Sequence, residues 1–145
     1  MRRQHIDIQT TTSAGPAAVY ALLTDGASWP DWSPIDSFEL EKEGADESEG
    51  VGAVRVFRDG RIEGRDTIVE LVADRRFGYT HVSPLPIKDY RAVVDLEPDG
   101  SGTRIRWRAS FKATVPGTGP VLRLAVGRFL RQCAEGLAGA APYVR

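Results

Sequence analysis

The chain has 145 residues, of which 41% are hydrophobic and 27% charged, with a formal net charge of −1. That is enough chain for one domain spanning residues 1–145 and burying roughly 68 to 70% of its unfolded surface, and the charge balance lacks the basic excess that drives nucleic-acid binding. One cysteine, Cys133, excludes an internal disulfide and a cysteine-rich zinc site.

Met1, Arg2 and Arg3 lead into polar residues alternating with isoleucine, where a secretory signal would need a continuous apolar stretch. No later run reaches membrane-spanning length, so the expectation is a cytoplasmic protein without stable membrane insertion. Residues 4–12 place Ile6 and Ile8 on one face and His5, Asp7 and Gln9 on the other, the pattern of a half-buried strand. Ser13 and a Gly-Pro step then open a short helix, with Pro16 in the first turn and Val19, Leu22 and Leu23 at helical spacing, ending near Gly26. WPDWSP at 29–34 follows. Two of the three tryptophans beside two prolines suggest a fixed aromatic wall on a rigid connector. Phe38 and Leu40 alternate with Glu39 and Glu41 ahead of an acidic loop, GADESEG at 44–50, that reads as solvated and mobile.

From Val51 to Thr114 strand follows strand: 53–58, 61–72, 75–82, 88–97 and 103–114, with Asp-Gly steps at 59–60 and 99–100 marking tight turns. The last two alternate most clearly, with Tyr90, Ala92, Val94 and Leu96 inward on one and Ile105, Trp107, Ala109 and Phe111 inward on the next. Pairing Leu96 with Ile105 and Val94 with Trp107 sets Glu97 against Arg104 and Asp95 against Arg106 on the outer face. The stripe Arg104, Arg106 and Arg108 therefore reads as a solvated face rather than an anion site. RIEGRDTIVE at 61–70 is the ambiguous stretch. Either Glu63 and Arg65 point inward or Gly64 and Asp66 do, because Ile68 and Val69 are adjacent and break the alternation. A long amphipathic helix over 119–141 closes the chain, with Leu122, Val126, Phe129, Leu130, Cys133 and Leu137 on one face. Gly127, Gly136 and Gly139 each cost about 1 kcal/mol there relative to alanine, which asks for a packing or cavity explanation.

The element order, together with GPAAVYALLTD at 15–25, WPDWSP, the Val51-Gly52 step, RRFGY at 75–79 and GTRIRW at 102–107, resembles the START-like (SRPBCC) superfamily. More narrowly it resembles the polyketide cyclase/dehydrase branch. The resemblance covers nearly the whole chain. It implies an α+β helix-grip fold of the START/Bet v 1 kind, in which a seven-stranded curved antiparallel sheet surrounds the long C-terminal helix and leaves an apolar cavity between them. It also implies a small hydrophobic, lipid- or polyketide-like molecule as the partner, in a family that spans lipid transport, passive carriage and enzymes.

On that fold the cavity wall should come from Phe38, Phe77, Tyr79, Tyr90, Val94, Trp107, Phe111, Val126, Phe129 and Leu130. Trp32 would sit near the mouth, and Trp29 would anchor the short helix. Any closed core would need the same residues, so each one singly is equally an ordinary packing residue. Tyr79 and Tyr90 differ in carrying a hydroxyl that needs a partner when buried. His81 continues the face of Phe77 and Tyr79 and could act as a general base, while the SPLP turn from Ser83 places it close to the rim, where a half-exposed structural histidine is the plainer reading. In the aromatase/cyclase enzymes that the chain resembles, an arginine of the middle strands helps orient the polyketide, and Arg65 is the nearest match. The catalytic candidates are therefore Arg65, His81, Tyr79 and Tyr90. Neither a metal-ligand spacing nor a phosphate-binding glycine loop is present, so neither metal nor cofactor is expected. The leading expectation is a binding module for a ring-containing ligand. The alternatives are a cyclase or dehydrase and an interaction protein whose pocket is filled by its own side chains. Sequence is silent on oligomeric state.

Overall fold

The computed structural model describes residues 2–144. Strand β1 (Arg3–Thr12) is followed by helix α1 (Pro16–Thr24), a short 3-10 turn and the one-turn helix α2 (Trp29–Trp32). Strands β2 (Ser37–Lys42), β3 (Val54–Asp59), β4 (Ile62–Val72), β5 (Arg76–Val82), β6 (Ile87–Asp99) and β7 (Gly102–Ala113) then lead to helix α3 (Gly119–Ala140). The seven strands form one antiparallel sheet in the order β1-β7-β6-β5-β4-β3-β2, so the first and last strands are neighbours. Among the described residues no helix is long and apolar enough to cross a membrane.

The α+β arrangement expected from sequence is the one observed, and its causes are local. Gly60 and Gly100 take left-handed backbone at φ +60° and +63°, which reverses the chain at two hairpins without steric cost. Register shifts in the β2–β3, β4–β5 and β6–β7 pairings bend the sheet. Its concave face then receives α3, which buries Val126, Leu130, Cys133, Ala134 and Leu137. The β6–β7 register is as the alternation required, with Leu96 opposite Ile105, Val94 opposite Trp107, Asp95 opposite Arg106 and Glu97 opposite Arg104.

One of the two cross-strand ion pairs forms and the other is replaced. Arg104 reaches Glu97 at 3.4 Å, but Arg106 turns to Asp7 of β1, at 2.6 and 3.0 Å, while Asp95 takes Arg76 and Arg108. Arginine is long enough for diagonal partners, and β1 supplies a carboxylate on the far side of β7. The Arg106 guanidinium holds the Asp7 carboxyl below its ordinary range.

Three further expectations are corrected by packing. The aromatic connector is a helical turn, with Pro30 in its first turn, where no backbone N–H is required. The acidic loop is exposed over residues 45–48, as expected, but is tied down at Glu49, whose carboxylate accepts from the Gly26 amide at 2.9 Å and pairs with Arg55 at 3.0 Å. Of Gly127, Gly136 and Gly139 in α3, only Gly136 is a close-approach residue. A side chain there would collide with the Trp32 carbonyl, whereas positions 127 and 139 face open space.

Candidate functional site

The inner face of the middle strands is unusual for a core, and the β4 bulge explains how. Ile68 opposes Tyr79 and Leu71 opposes Phe77, so Val69 is the extra residue and the alternation changes phase there. Ahead of the bulge Gly64, Asp66 and Ile68 point inward, and Glu63 and Arg65 point outward. Arg65 is accordingly paired on the outer surface with Glu41 and Glu63, both at 3.1 Å, and does not reach the interior. The inward alternative for Arg65 is overturned, and with it any contact of that guanidinium with a cavity ligand.

Asp66 lies directly opposite His81, and its Oδ1 is 2.6 Å from the imidazole Nδ1. Gly64 makes room for this pair, since a Cβ at that position would sit 2.5 Å from His81 Cε1. The other edge of the imidazole ring meets Tyr90 at 5.1 Å between centroids, with the planes at 61°. The His81 ring points inward and yet lies at the rim, with 24% of its side chain exposed.

Across from Asp66 on β3 stands Arg55, which the sequence reading overlooked and which is only 1% exposed. Its guanidinium lies against the Trp29 ring at 5.8 Å and the Phe77 ring at 5.2 Å, a stabilising arrangement for a desolvated cation. Nη1 donates to the Leu23 carbonyl at 2.9 Å, and Trp29 Nε1 donates to the same oxygen at 3.2 Å. That carbonyl belongs to the last turn of α1 and has no helical partner, so two buried donors answer one orphan acceptor. Burial pushes the Arg55 pKa down, opposed by the nearby Glu49 and Asp66 carboxylates. The sequence signal was faint: Arg55 shares strand parity with the inward Phe57.

Between this polar row and α3 lies a cavity of about 310 Å³. Its wall is mostly aromatic and aliphatic: Trp29, Ile35, Phe57, Tyr79, Tyr90, Trp107, Leu122, Val126 and Phe129, with Asp66, His81 and Gly64 at one corner and Leu85, Ile87 and Ala125 near the opening. A larger groove of about 740 Å³ between β1 and the outer face of α3 is open to solvent and lined by Arg123, Arg128 and Arg131. The first is the less open of the two and is lined mainly by apolar side chains, the character of a small-molecule site.

Of the expected wall residues, Tyr79, Tyr90, Trp107, Val126 and Phe129 face the cavity, as does the catalytic candidate His81. Phe38, Phe77, Val94, Phe111 and Leu130 do not line it and instead back the wall. Phe38 packs on Phe57 at 5.5 Å, Phe77 on Tyr79 at 5.8 Å and Phe111 on Tyr90 at 6.1 Å. Trp29 anchors the end of α1 through the Leu23 carbonyl, as expected, but it is Trp29 and not Trp32 that lines the cavity. Trp29 stacks on Phe57 at 5.0 Å, while Trp32 is held behind it by a hydrogen bond from Nε1 to Ser28 and by its carbonyl against Gly136. Tyr79 satisfies its oxygen internally by accepting from Trp107 Nε1 at 3.1 Å. Burial pushes the hydroxyl pKa of both Tyr79 and Tyr90 well above the ordinary tyrosine value, so they are neutral donors and acceptors rather than bases. Cys133, buried in the α3 face, has its thiol pKa raised for the same reason and is no nucleophile.

A family profile described as polyketide cyclase/dehydrase and lipid transport matches residues 3–142. The fold is similar to that of a START superfamily protein from Mycobacterium smegmatis, with a TM-score of 0.82 at 12% identity over 96% of this chain and 97% of that one. It is also similar to Ara h 8.0201, with a TM-score of 0.79 at 17% identity over 98% and 99% of the two chains. The Zhui aromatase/cyclase from Streptomyces sp. R1128 gives a TM-score of 0.78 at 17% identity over 97% and 94%. No curated protein sequence matches the chain.

Proposed function

The chain belongs to the polyketide cyclase/dehydrase and lipid transport family, and on that premise we propose that its cavity takes up a small hydrophobic, ring-containing molecule and that the protein carries or sequesters it. What supports this reading is the open volume of about 310 Å³ behind an aromatic wall, a size at the low end of small-molecule sites. That open volume also argues against an interaction protein with a side-chain-filled interior. The fold leaves the space for an energetic reason: the ligand's apolar surface replaces packing atoms that the cavity lining otherwise lacks.

Native mass spectrometry of the purified protein should reveal a co-purifying hydrophobic molecule, and Ala125→Trp, which places an indole in the opening, should abolish its retention. Retention undiminished in that variant would place the ligand elsewhere and defeat the proposal.

A second reading, a cyclase or dehydrase acting on a polyketide-like substrate, draws support from one observation, the Asp66–His81 pair in the wall. A carboxylate that orients an imidazole is the arrangement general-base chemistry uses. The test is ring formation from a linear poly-β-keto thioester; a rate no faster than the spontaneous reaction would refute it.

A further inference from the structure

We propose that the cavity selects a neutral ring compound bearing one weakly acidic hydroxyl, a phenol or a ring enol, and that His81 Nε2 accepts the hydrogen bond from that hydroxyl. The inference rests on the cavity reading above and adds the chemical class of the ligand.

An ionised Asp66 carboxylate can only accept, so the 2.6 Å contact places the imidazole proton on Nδ1. When Nδ1 carries the ring's one proton, Nε2 is a lone pair at the edge of an apolar space, and no described side chain or amide donates to it. The ring is held in one orientation. Gly64 lies beneath Cε1, Tyr90 crosses its edge at 5.1 Å, and Asp66 holds the other nitrogen. An acceptor fixed in this way in a mostly apolar wall costs free energy whenever an apolar molecule covers it, and is repaid by a ligand that donates.

The rest of the wall decides what kind of donor. Trp29, Phe57 and Trp107 present ring faces and edges suited to a flat conjugated body. An aliphatic alcohol would satisfy Nε2 but leave those surfaces poorly matched, whereas a phenol answers both and is the stronger donor. Charge excludes the other common polar end group. A carboxylate at Nε2 would approach a wall that already holds the Asp66 carboxylate, and the arginine at the rim, Arg58, is engaged by Glu63 at 2.9 Å. A neutral hydroxyl meets no such repulsion.

The test uses three matched two-ring probes, 2-naphthol, 2-methoxynaphthalene and naphthalene, titrated calorimetrically into the full chain. The expected result is that 2-naphthol binds about tenfold more tightly than 2-methoxynaphthalene, the weight of one hydrogen bond gained and one acceptor left unpaired. In His81→Leu the preference should fall below about twofold while naphthalene binding is kept. Equal binding of 2-naphthol and 2-methoxynaphthalene by the unaltered protein overturns the inference and leaves the cavity reading standing; failure of all three to bind defeats the cavity reading itself. Because His81→Leu strands Asp66 and could unfold the protein, nitrogen-15 NMR of the unaltered protein gives an independent check. His81 should carry its proton on Nδ1, and its Nε2 resonance should move on addition of 2-naphthol but not of 2-methoxynaphthalene, with the exposed His5 as internal control. A proton on Nε2 in the free protein overturns the inference.

Discussion

The same substitution at three glycines of α3 should have opposite signs. Gly127→Ala and Gly139→Ala add a methyl group where nothing lies within 4 Å. Each should gain helix propensity, about 1 kcal/mol at the mid-helix Gly127 and less at Gly139, one residue from the helix end. Gly136→Ala makes the same gain in propensity, but its methyl group would overlap the Trp32 carbonyl. Both parties to that contact are backbone, so no side-chain rotation relieves it, and α2 must move off α3. That movement disturbs the Trp29–Trp32 contact, now at 4.7 Å, and the aromatic cluster built on it. Overpacking of a tight core costs about 1–3 kcal/mol, and here the backbone contact and lost aromatic packing put the gross cost at the upper end, leaving a net loss of about 2 kcal/mol. For a domain of this size 1 kcal/mol moves the melting temperature by about 3 °C. Gly127→Ala should therefore melt about 3 °C higher than the unaltered protein and Gly136→Ala about 6 °C lower. Thermal and urea unfolding followed by tryptophan fluorescence measure both. Gly136→Ala matching Gly127→Ala in stability would refute the close approach of the two helices and with it the placement of the tryptophans.

Three other outcomes follow from the buried polar groups. Tyr79→Phe strands the indole N–H of Trp107 in a fully buried setting and should cost about 1–3 kcal/mol in urea unfolding, whereas a merely spatial role for the hydroxyl predicts almost no change. Glu49→Gln removes the carboxylate that neutralises Arg55 and should destabilise by about 3 kcal/mol, the usual consequence of leaving a buried charge unpaired; a loss comparable to that from a surface pair, below about 1 kcal/mol, would contradict the buried latch. Alkaline pH should unfold the protein in a defined order. Burial raises the Cys133 thiol above its ordinary 9.0, so the folded state holds that proton more tightly than the unfolded chain. Stability is then full below about pH 9 and falls above it by about 1.4 kcal/mol per pH unit, and Tyr79 and Tyr90 add to the slope above about pH 10. Cys133→Ala should flatten the profile between about pH 9 and 10, and an unchanged slope there would show that the thiol titrates as freely folded as unfolded.

Where alternation ran unbroken, as in β6 and β7, the sequence was enough to set both the inward faces and the pairing register, because a one-residue slip would have turned Trp107 and Val94 out to water. It failed at β4 for one reason, the bulged Val69, which reverses the parity of every residue beyond it and made the stretch readable in two phases. The places of Trp29 and Trp32 have a different cause. Three residues apart on one helical turn, they are told apart by tertiary partners: Trp29 Nε1 reaches the Leu23 carbonyl, and the Trp32 carbonyl meets a glycine more than a hundred positions later. Arg55 was hidden for the same kind of reason, since its partners, the Leu23 carbonyl and Glu49, come from other elements.

These failures concentrate on the inner face around Arg55, Gly64, Asp66 and His81, where local preference and global fold disagree. A sheet built only for stability would place branched apolar residues at 55, 64 and 66 and fill the space beneath α3. Instead β3 and β4 bury an arginine and a carboxylate directly opposite one another and omit a side chain at Gly64. Each is an expense in desolvation or lost packing. They are not independent, because the missing Cβ admits the His81 ring, Asp66 holds it, and Arg55 stands opposite Asp66 on the neighbouring strand. The proposed ligand chemistry accounts for that shared location: an imidazole held at a fixed angle in an apolar wall has no packing advantage over leucine, and becomes useful only when something in the cavity brings a proton to it.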